Sequence, residues 1–117
     1  MFAQKHDFPK KQRIADKKDF ALSKAVGKRF YQQHLFLSKS ENSCGFARLA
    51  VVASRKTGNA VLRNQWKRQI REVFRHGNLQ AGDYVVILKP SIKQQSKTTV
   101  VQQVKQLFVQ HSADKDN

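Results

Sequence analysis

Cysteine is almost absent from this chain: Cys44 is the only one among 117 residues. A single cysteine excludes an intramolecular disulfide and fits a reducing compartment, so we expect a cytoplasmic protein. The thiol lies in a polar stretch without a histidine or aspartate at motif spacing, and the four histidines are scattered. Neither pattern is that of a metal site. We therefore predict no dedicated metal site and no cofactor bound by the protein alone.

Long apolar runs are also missing. No segment approaches the roughly 18 apolar residues that a membrane-spanning helix needs. Residues 1–20 lack the continuous apolar stretch of a secretory signal. The sequence therefore predicts no membrane partner.

Acidic residues are scarce, with 8 Asp and Glu against 23 Lys and Arg and a formal net charge of +15. A charge of this size repels itself in the compact state and indicates a polyanionic partner, with nucleic acid as the first candidate. The acids are spread through tails, loops and element ends, without a motif that would gather them around catalytic metal ions. The sequence therefore disfavours a protein-only nuclease, and we expect no catalytic residue.

Hydrophobic residues make up 39% of the chain, enough for one core in one domain. We expect a mobile basic tail at 1–12, a single nucleic-acid-binding domain at 13–112 and a polar tail at 113–117. Apolar periodicity predicts helices at about 14–26, 59–76 and 97–111, and strands at 34–38, 46–54 and 84–89. The helix between the last two strands requires a crossover, so those strands are expected to be parallel. The predicted fold class is α+β, a two-layer sandwich with a mixed sheet.

The most heavily charged segment is residues 58–75, GNAVLRNQWKRQIREVFR. On a helix with about 100° per residue, its side chains separate into two faces. The apolar face, expected to contact a core, holds Leu62, Trp66, Ile70, Val73 and Phe74. The cationic face, with Asn64 among the cations, holds Arg63, Lys67, Arg68, Arg71 and Arg75.

The cationic face has one sign of charge. Solvated helix faces normally mix charges, since like charges four residues apart cost a few tenths of a kcal/mol each. Here an unbroken i,i+4 series runs from Arg63 to Arg75, and Glu72 lies outside it. Such a ladder can neutralise successive phosphates and release their counterions. The preceding residues add the cations Arg55 and Lys56, and they end on Asn59, which is suited to capping the helix beside an anion-binding N-terminus.

Residues 54–75, SRKTGNAVLRNQWKRQIREVFR, resemble the protein subunits of bacterial ribonuclease P. They carry that family's pattern of a basic pair, Gly-Asn-Ala-Val, Arg-Asn, Lys-Arg and Arg-Glu. The resemblance extends from about Arg13 to Phe108, through Asp19-Phe20, the strand YVVILKP and a closing amphipathic helix. It implies a mixed four-stranded sheet and about three helices in the order α-β-β-β-α-β-α, with a left-handed crossover. General rules alone would favour a right-handed one.

The resemblance also implies a function. A catalytic RNA removes the 5′ leader from precursor tRNA with Mg²⁺, and the protein assists by binding the leader and by promoting metal and substrate affinity. The implied partners are therefore ribonuclease P RNA and the precursor-tRNA leader, with a protein that is otherwise monomeric. A structural RNA-binding protein of the ribosomal type would have similar size and charge, but the Arg-Asn…Lys-Arg…Arg-Glu helix and Asp-Phe favour ribonuclease P.

Most candidate site residues follow from matching positions, whereas Asn59, Arg75, Phe36 and Phe46 follow from their places on the helix and the strands. The RNA-binding residues implied in the basic helix and the loop before it are Arg55, Lys56, Asn59, Arg63, Asn64, Lys67, Arg68, Arg71 and Arg75. Candidates for a leader-binding cleft between the first helix and the sheet are Phe20, Lys24, Phe36 and Phe46, although each phenylalanine also fits a core position.

Two positions depart from the family pattern. Gln65 stands where the family usually has arginine, so one phosphate contact is expected to be lost. Lys24 stands where the first helix usually has a second aromatic residue. Base stacking is expected to weaken there, with a phosphate contact in its place.

Overall fold

Four strands and two helices make up the part of the chain that the structure describes, which is residues 27–77 and 79–116, with side chains up to Val109. The structure is a computed structural model. In chain order the elements are β1 (Lys28–Tyr31), β2 (Leu35–Ser40), β3 (Ala47–Val52), α1 (Ala60–Arg75), β4 (Gly82–Leu88) and α2 (Lys97–Asp116). A 3₁₀ turn precedes each helix: the basic turn, Arg55–Thr57, and the proline turn, Pro90–Gln94.

The strands form one mixed sheet in the order β1-β2-β4-β3. β2 pairs antiparallel with both β1 and β4, whereas β3 and β4 are parallel. The parallel pair confirms the prediction from the strand–helix–strand order, because α1 returns the chain to the start of β4. The α+β class and the mixed four-stranded sheet are confirmed with it.

The element boundaries differ from the sequence prediction at several points. The first predicted helix, 14–26, and the basic tail lie outside the described residues. Strand β1 was not located in the sequence, because Lys28–Tyr31 is four residues long and half of it is cationic. The final helix continues past the expected end at His111 to Asp116. The apolar periodicity stops at Phe108, so the pattern contains no signal for this extension.

The core lies between one face of the sheet and the two helices. The strands contribute Leu35, Leu37, Leu49, Tyr84, Val86 and Leu88 from this core face. The helices contribute Trp66, Ile70 and Phe74 from α1 and Val100, Val104, Leu107 and Phe108 from α2. Leu62 and Val73 pack against the same cluster while partly exposed, so the apolar face predicted for the basic helix is confirmed. The opposite side of the sheet is called the second face below.

Three aromatic rings hold the two helices on the sheet. Phe74, Tyr84 and Phe108 meet edge to face, with ring centroids 5.9, 6.3 and 6.2 Å apart, a favoured aromatic geometry. The Tyr84 hydroxyl donates to the Gln80 carbonyl at 2.7 Å. Burial, with a smaller contribution from the charge of Glu41, raises the pKa of Tyr84 to about 12. The phenol is therefore held neutral in the folded protein.

Candidate nucleic-acid interface

The start of the basic helix α1 is fixed by three consecutive residues. Thr57 is buried and its hydroxyl donates to the Ser54 carbonyl at 2.6 Å. Gly58 has φ +137°, a conformation that favours glycine. The Asn59 side chain accepts a hydrogen bond from the Leu62 amide at 2.9 Å, so Asn59 is the predicted helix cap. Together they set the direction in which the basic turn meets α1.

The cationic face of α1 is confirmed as a surface feature with a partly buried flank. Arg68 and Asn64 are exposed, whereas the i,i+4 series of Arg63, Lys67, Arg71 and Arg75 is partly buried. Long cationic side chains commonly bury their stems and keep their charged ends in water. The ladder therefore combines packing against the domain with charge at its surface.

Every carboxylate in residues 27–77 and 79–109 already has a basic partner. Asp83 accepts from Arg48 through two hydrogen bonds of 2.8 and 2.7 Å. Glu41 pairs with Lys39 at 3.1 Å, and Glu72 pairs with Arg75 at 2.9 Å. The described acids are thus engaged away from the basic turn and the first two turns of α1.

As a consequence, five cations near the start of α1 have no carboxylate partner within the described residues. They are Arg55, Lys56, Arg63, Lys67 and Arg68. The buried Nε atom of Arg63 also lacks a hydrogen-bond acceptor there. Because no carboxylate of the described ranges offsets their mutual repulsion, these side chains produce a positive surface suited to phosphates. We call these five residues the unpaired basic surface.

The other end of α1 is electrostatically different. The Glu72 carboxylate bonds to Arg75 and also lies 3.1 Å from Nε2 of His76, the residue that ends the helix. Desolvation raises the pKa of Glu72, but the hydrogen bonds from His76 and Arg75, together with their electrostatic attraction, leave the pKa below its ordinary value. The C-terminal turn is therefore locally neutralised, in contrast to the start of the helix.

The parallel pairing of β3 and β4 brings separate basic residues to one edge of the sheet. The carboxyl ends of parallel strands lie at the same edge, so Lys89, which follows β4, lies at the same edge as the basic turn, which follows β3. The basic turn and the proline turn contact each other there. The Lys89 amide donates to the His34 carbonyl at 2.9 Å and its ammonium donates to the Gln32 carbonyl at 3.0 Å. Both ends of Lys89 are thus held in place.

The second face of the sheet carries an apolar row at this same edge. Strand register places four side chains side by side across it, none of them fully buried: Tyr31, Phe36, Ile87 and Val52. The Tyr31 and Phe36 ring centroids are 5.3 Å apart. The Arg29 guanidinium lies 5.8 Å from the Phe36 ring centroid, within cation–π range. Phe36 is therefore a partly exposed residue of the second face and not a core residue.

Phe46, the other described cleft candidate, lies at the opposite end of the sheet. It precedes β3, where its carbonyl accepts from the Asn42 side chain at 3.2 Å. Six strand residues separate its row from that of Phe36, which is about 20 Å at 3.3 Å per residue. Phe46 lies beside Arg75 in a small cavity. The remaining cleft candidates, Phe20 and Lys24, lie outside the described residues.

Three residues at the Phe36 end were not selected from the sequence: Arg29, Tyr31 and Lys89. The alternation of Arg29 and Tyr31 in β1 would have placed them on one face. The strand itself was not recognised, however, and its proximity to Phe36 depends on antiparallel register. Lys89 appeared only as the last residue of a predicted strand.

Neither metal ligation nor a membrane span is a feature of the described residues. Among their side chains, no group of three or more His, Cys, Asp or Glu could hold a metal ion. Within the same ranges, no helix combines the length and apolarity needed to cross a bilayer.

Comparisons with known proteins identify the family of this chain. A family model described as Ribonuclease P matches residues 8–112. The ribonuclease P protein component of Legionella pneumophila (strain Lens) is 36% identical over 86 residues, covering 73% of this chain and 75% of that protein. The structure of the Staphylococcus aureus RNase P protein aligns with a TM-score of 0.78 at 29% identity, covering 82% of this chain and 91% of that one. The Thermotoga maritima RNase P protein aligns with a TM-score of 0.72 at 28% identity, covering 82% and 94%. The chain therefore belongs to the family of bacterial ribonuclease P protein components, the RNA-binding subunits of a tRNA-processing ribonucleoprotein.

Proposed function

We propose that this protein assists the catalytic RNA of ribonuclease P in the cytoplasm, by docking on that RNA and by binding the 5′ leader of precursor tRNA. In this proposal the RNA performs the cleavage with Mg²⁺, and the protein contributes affinity for the substrate and for the metal ions. The protein acts as a monomer apart from its RNA complex.

The observation that carries this proposal is the unpaired basic surface. Its five cations are concentrated on the basic turn and the start of α1, while the described carboxylates are bonded elsewhere. A folded protein gains nothing from such self-repulsion unless a polyanion relieves it. A phosphate backbone does so, with release of its counterions. The docking surface therefore includes Arg55, Lys56, Arg63, Lys67 and Arg68, continued by Asn64, Arg71 and Arg75 along α1.

Leader binding is supported by the second face of the sheet. Phe36 is only partly buried, with the Arg29 guanidinium near its ring. A single-stranded leader offers unstacked bases to such a ring and phosphates to neighbouring cations. The basic turn lies at the same edge of the sheet. A leader bound on the second face would therefore extend from the protein next to the docking surface. Phe20 and Lys24 are proposed to complete the cleft by family resemblance.

An effect on metal affinity follows from the same charges. Protein cations beside RNA phosphates reduce the repulsion between the catalytic RNA and its substrate, so less free Mg²⁺ is needed to bring them together. The protein then lowers the Mg²⁺ requirement without a metal ligand of its own. The described carboxylates are all paired with basic side chains: Glu41, Glu72 and Asp83. This pairing fits a role in which the protein supplies no catalytic carboxylate.

Reconstitution tests this proposal. The protein is combined with a bacterial ribonuclease P RNA at low Mg²⁺, and 5′ processing of precursor tRNA is measured beside RNA alone and protein alone. We expect stimulation by the complex and no cleavage by the protein alone. A protein that binds RNA without stimulating processing would instead support the ribosomal-type alternative. Cleavage by a freshly purified protein without RNA would overturn the division of roles.

A further inference from the structure

We propose that Tyr31, at the outer edge of the sheet, stacks on an unpaired base of the bound leader, with a neighbouring phosphate held by Lys89. This inference rests on the proposed leader binding and names a contact beyond the predicted cleft residues. It makes β1, the strand that sequence patterning missed, part of the RNA-binding surface.

The first observation is the exposure of the Tyr31 ring. The side chain is 55% exposed, and among the described residues it is the aromatic member of the exposed large hydrophobic set, beside Val61 and Val109. Phe30, the preceding aromatic residue, points to the core face and packs against the core instead. Because side chains alternate along a strand, Phe30 packs against the core while the adjacent Tyr31 lies at the surface. An exposed aromatic ring has a π-face available to any base.

The second observation is the position of the Lys89 ammonium. It lies 5.9 Å from the Tyr31 ring centroid, within cation–π range. Its hydrogen bond to the Gln32 carbonyl uses one of three N–H donors. The others have no protein acceptor among the described residues. Lys89 is thus fixed in place and still able to bind a phosphate.

The third observation connects this contact to the rest of the interface. Tyr31 lies directly opposite Phe36 in the strand register, and the two rings are 5.3 Å apart with a 31° angle between their planes. The tilted pair forms a two-ring surface, with Arg29 near one ring and Lys89 near the other. Cations alternating with rings match the alternation of phosphates and bases along a single strand. A paired duplex, whose bases are already stacked, could not use the rings in this way.

The occupant is therefore single-stranded RNA. An acidic peptide would satisfy the cations but would leave the rings without stacked partners. A stacked base typically contributes enough affinity that its loss weakens binding by about fivefold to a hundredfold. Because Tyr31 is only one of two adjacent rings, we expect about a tenfold loss when its ring is removed.

The main test uses the reconstituted complex and precursor tRNAs whose leaders are lengthened one nucleotide at a time. We compare Tyr31→Ala and Tyr31→Phe with the wild type, and Val109→Ala serves as a control that removes a different exposed apolar side chain. For Tyr31→Ala we expect about tenfold weaker binding once the leader is long enough to reach the ring, and unchanged binding for the shortest leaders. Tyr31→Phe and Val109→Ala should match the wild type throughout.

The outcomes separate this inference from the proposed function. If wild-type affinity rises with leader length and Tyr31→Ala follows the same curve, the Tyr31 contact is wrong while leader binding stands. If wild-type affinity does not depend on the leader, leader binding itself fails, and the Tyr31 contact fails with it.

A second measurement locates the base. Precursor tRNAs carrying 5-iodouridine at successive leader positions are irradiated in the complex, and the cross-linked protein residue is identified by mass spectrometry. We expect a cross-link to Tyr31 from one or two adjacent positions, and loss of that cross-link in Tyr31→Ala. Cross-links that never reach Tyr31 from any leader position would overturn the proposal.

Discussion

Leu62 packs so closely against Gly58 that a Cβ atom added to Gly58 would lie 2.5 Å from the Leu62 Cδ2 atom. Leu62 in turn packs against the core, and Asn59 between them caps α1. The direction of the basic turn is therefore coupled to the core through one glycine. Glycine is required here for its backbone conformation and for its missing side chain.

Replacement of Gly58 by alanine is expected to destabilise the protein by about 2–4 kcal/mol, from backbone strain plus overpacking. The matched control is Gly45→Ala. Gly45 also has a positive φ, of 84°, but an added Cβ would meet nothing within 4 Å. Gly45→Ala should therefore lower the free energy of unfolding by only about 1 kcal/mol. Urea unfolding of both variants measures the difference, and equal losses would show that the Leu62 contact is unimportant.

Removal of charge from the unpaired basic surface is expected to reduce the salt dependence of RNA binding. Lys67→Gln should lower the slope of log K against log salt by up to about one unit per lost phosphate contact. Glutamine retains part of the partly buried stem, so folding should be little affected. Lys105→Gln removes the same charge from α2 and should leave the slope unchanged. If both variants lower the slope equally, net charge rather than location controls binding.

Loss of the Asp83 carboxylate is expected to destabilise the fold by about 3–5 kcal/mol, because the largely buried Arg48 loses the acceptor of two of its hydrogen bonds. Asp83 also accepts from the Asn42 side chain at 2.7 Å, so two donors lose an acceptor in Asp83→Ala. The double variant Arg48→Met with Asp83→Leu should be less destabilised, since an apolar pair leaves no buried charge. Denaturant titration compares the stability of Asp83→Ala with that of the double variant. A double variant that is less stable than Asp83→Ala would contradict this explanation.

The raised pKa of Tyr84 predicts an alkaline loss of stability. The unfolded phenol ionises near pH 10, whereas burial raises the pKa of the folded phenol to about 12. The folded state thus favours the protonated form. This contribution is complete below pH 10 and is lost as the pH rises towards 12. Between pH 9 and 11.5 we expect the wild type to lose about 2 kcal/mol that Tyr84→Phe does not lose. Tyr31→Phe, which leaves Tyr84 in place, should follow the wild type in the same unfolding measurements.

Much of the fold was predictable because the core has regular periodicity. The buried face of α1 repeats at helical spacing, at Trp66, Ile70 and Phe74, and the other side of the helix is cationic. The sequence therefore predicted both the helix and its buried face. The parallel pairing of β3 and β4 followed from connection length alone. Strand β1 lacked such a signal, because two of its four residues are charged and its position depends on pairing with β2.

The basic half of the site was predictable for the same reason, since its residues are close together in sequence. The aromatic half was not. Tyr31, Phe36 and Lys89 become neighbours through strand register and through the hydrogen bonds that hold Lys89. Likewise, the pairing of Asp83 with Arg48 joins residues 35 positions apart. Sequence spacing therefore indicated which surface is positive. Tertiary contacts, which engage the carboxylates elsewhere, determine which of its cations have no described acidic partner.

The shared edge reached by the carboxyl ends of β3 and β4 has a further consequence for how such a protein can diverge. The basic turn, Lys89 and the residues before β2 all lie in connections at that edge, whereas most core side chains lie within the strands and helices. Substitutions of exposed side chains in these connections, such as Arg55 and Lys56, can alter which RNA is bound and how tightly, without changing the packing that stabilises the domain. For such exposed residues, recognition and folding are therefore separable targets for mutation.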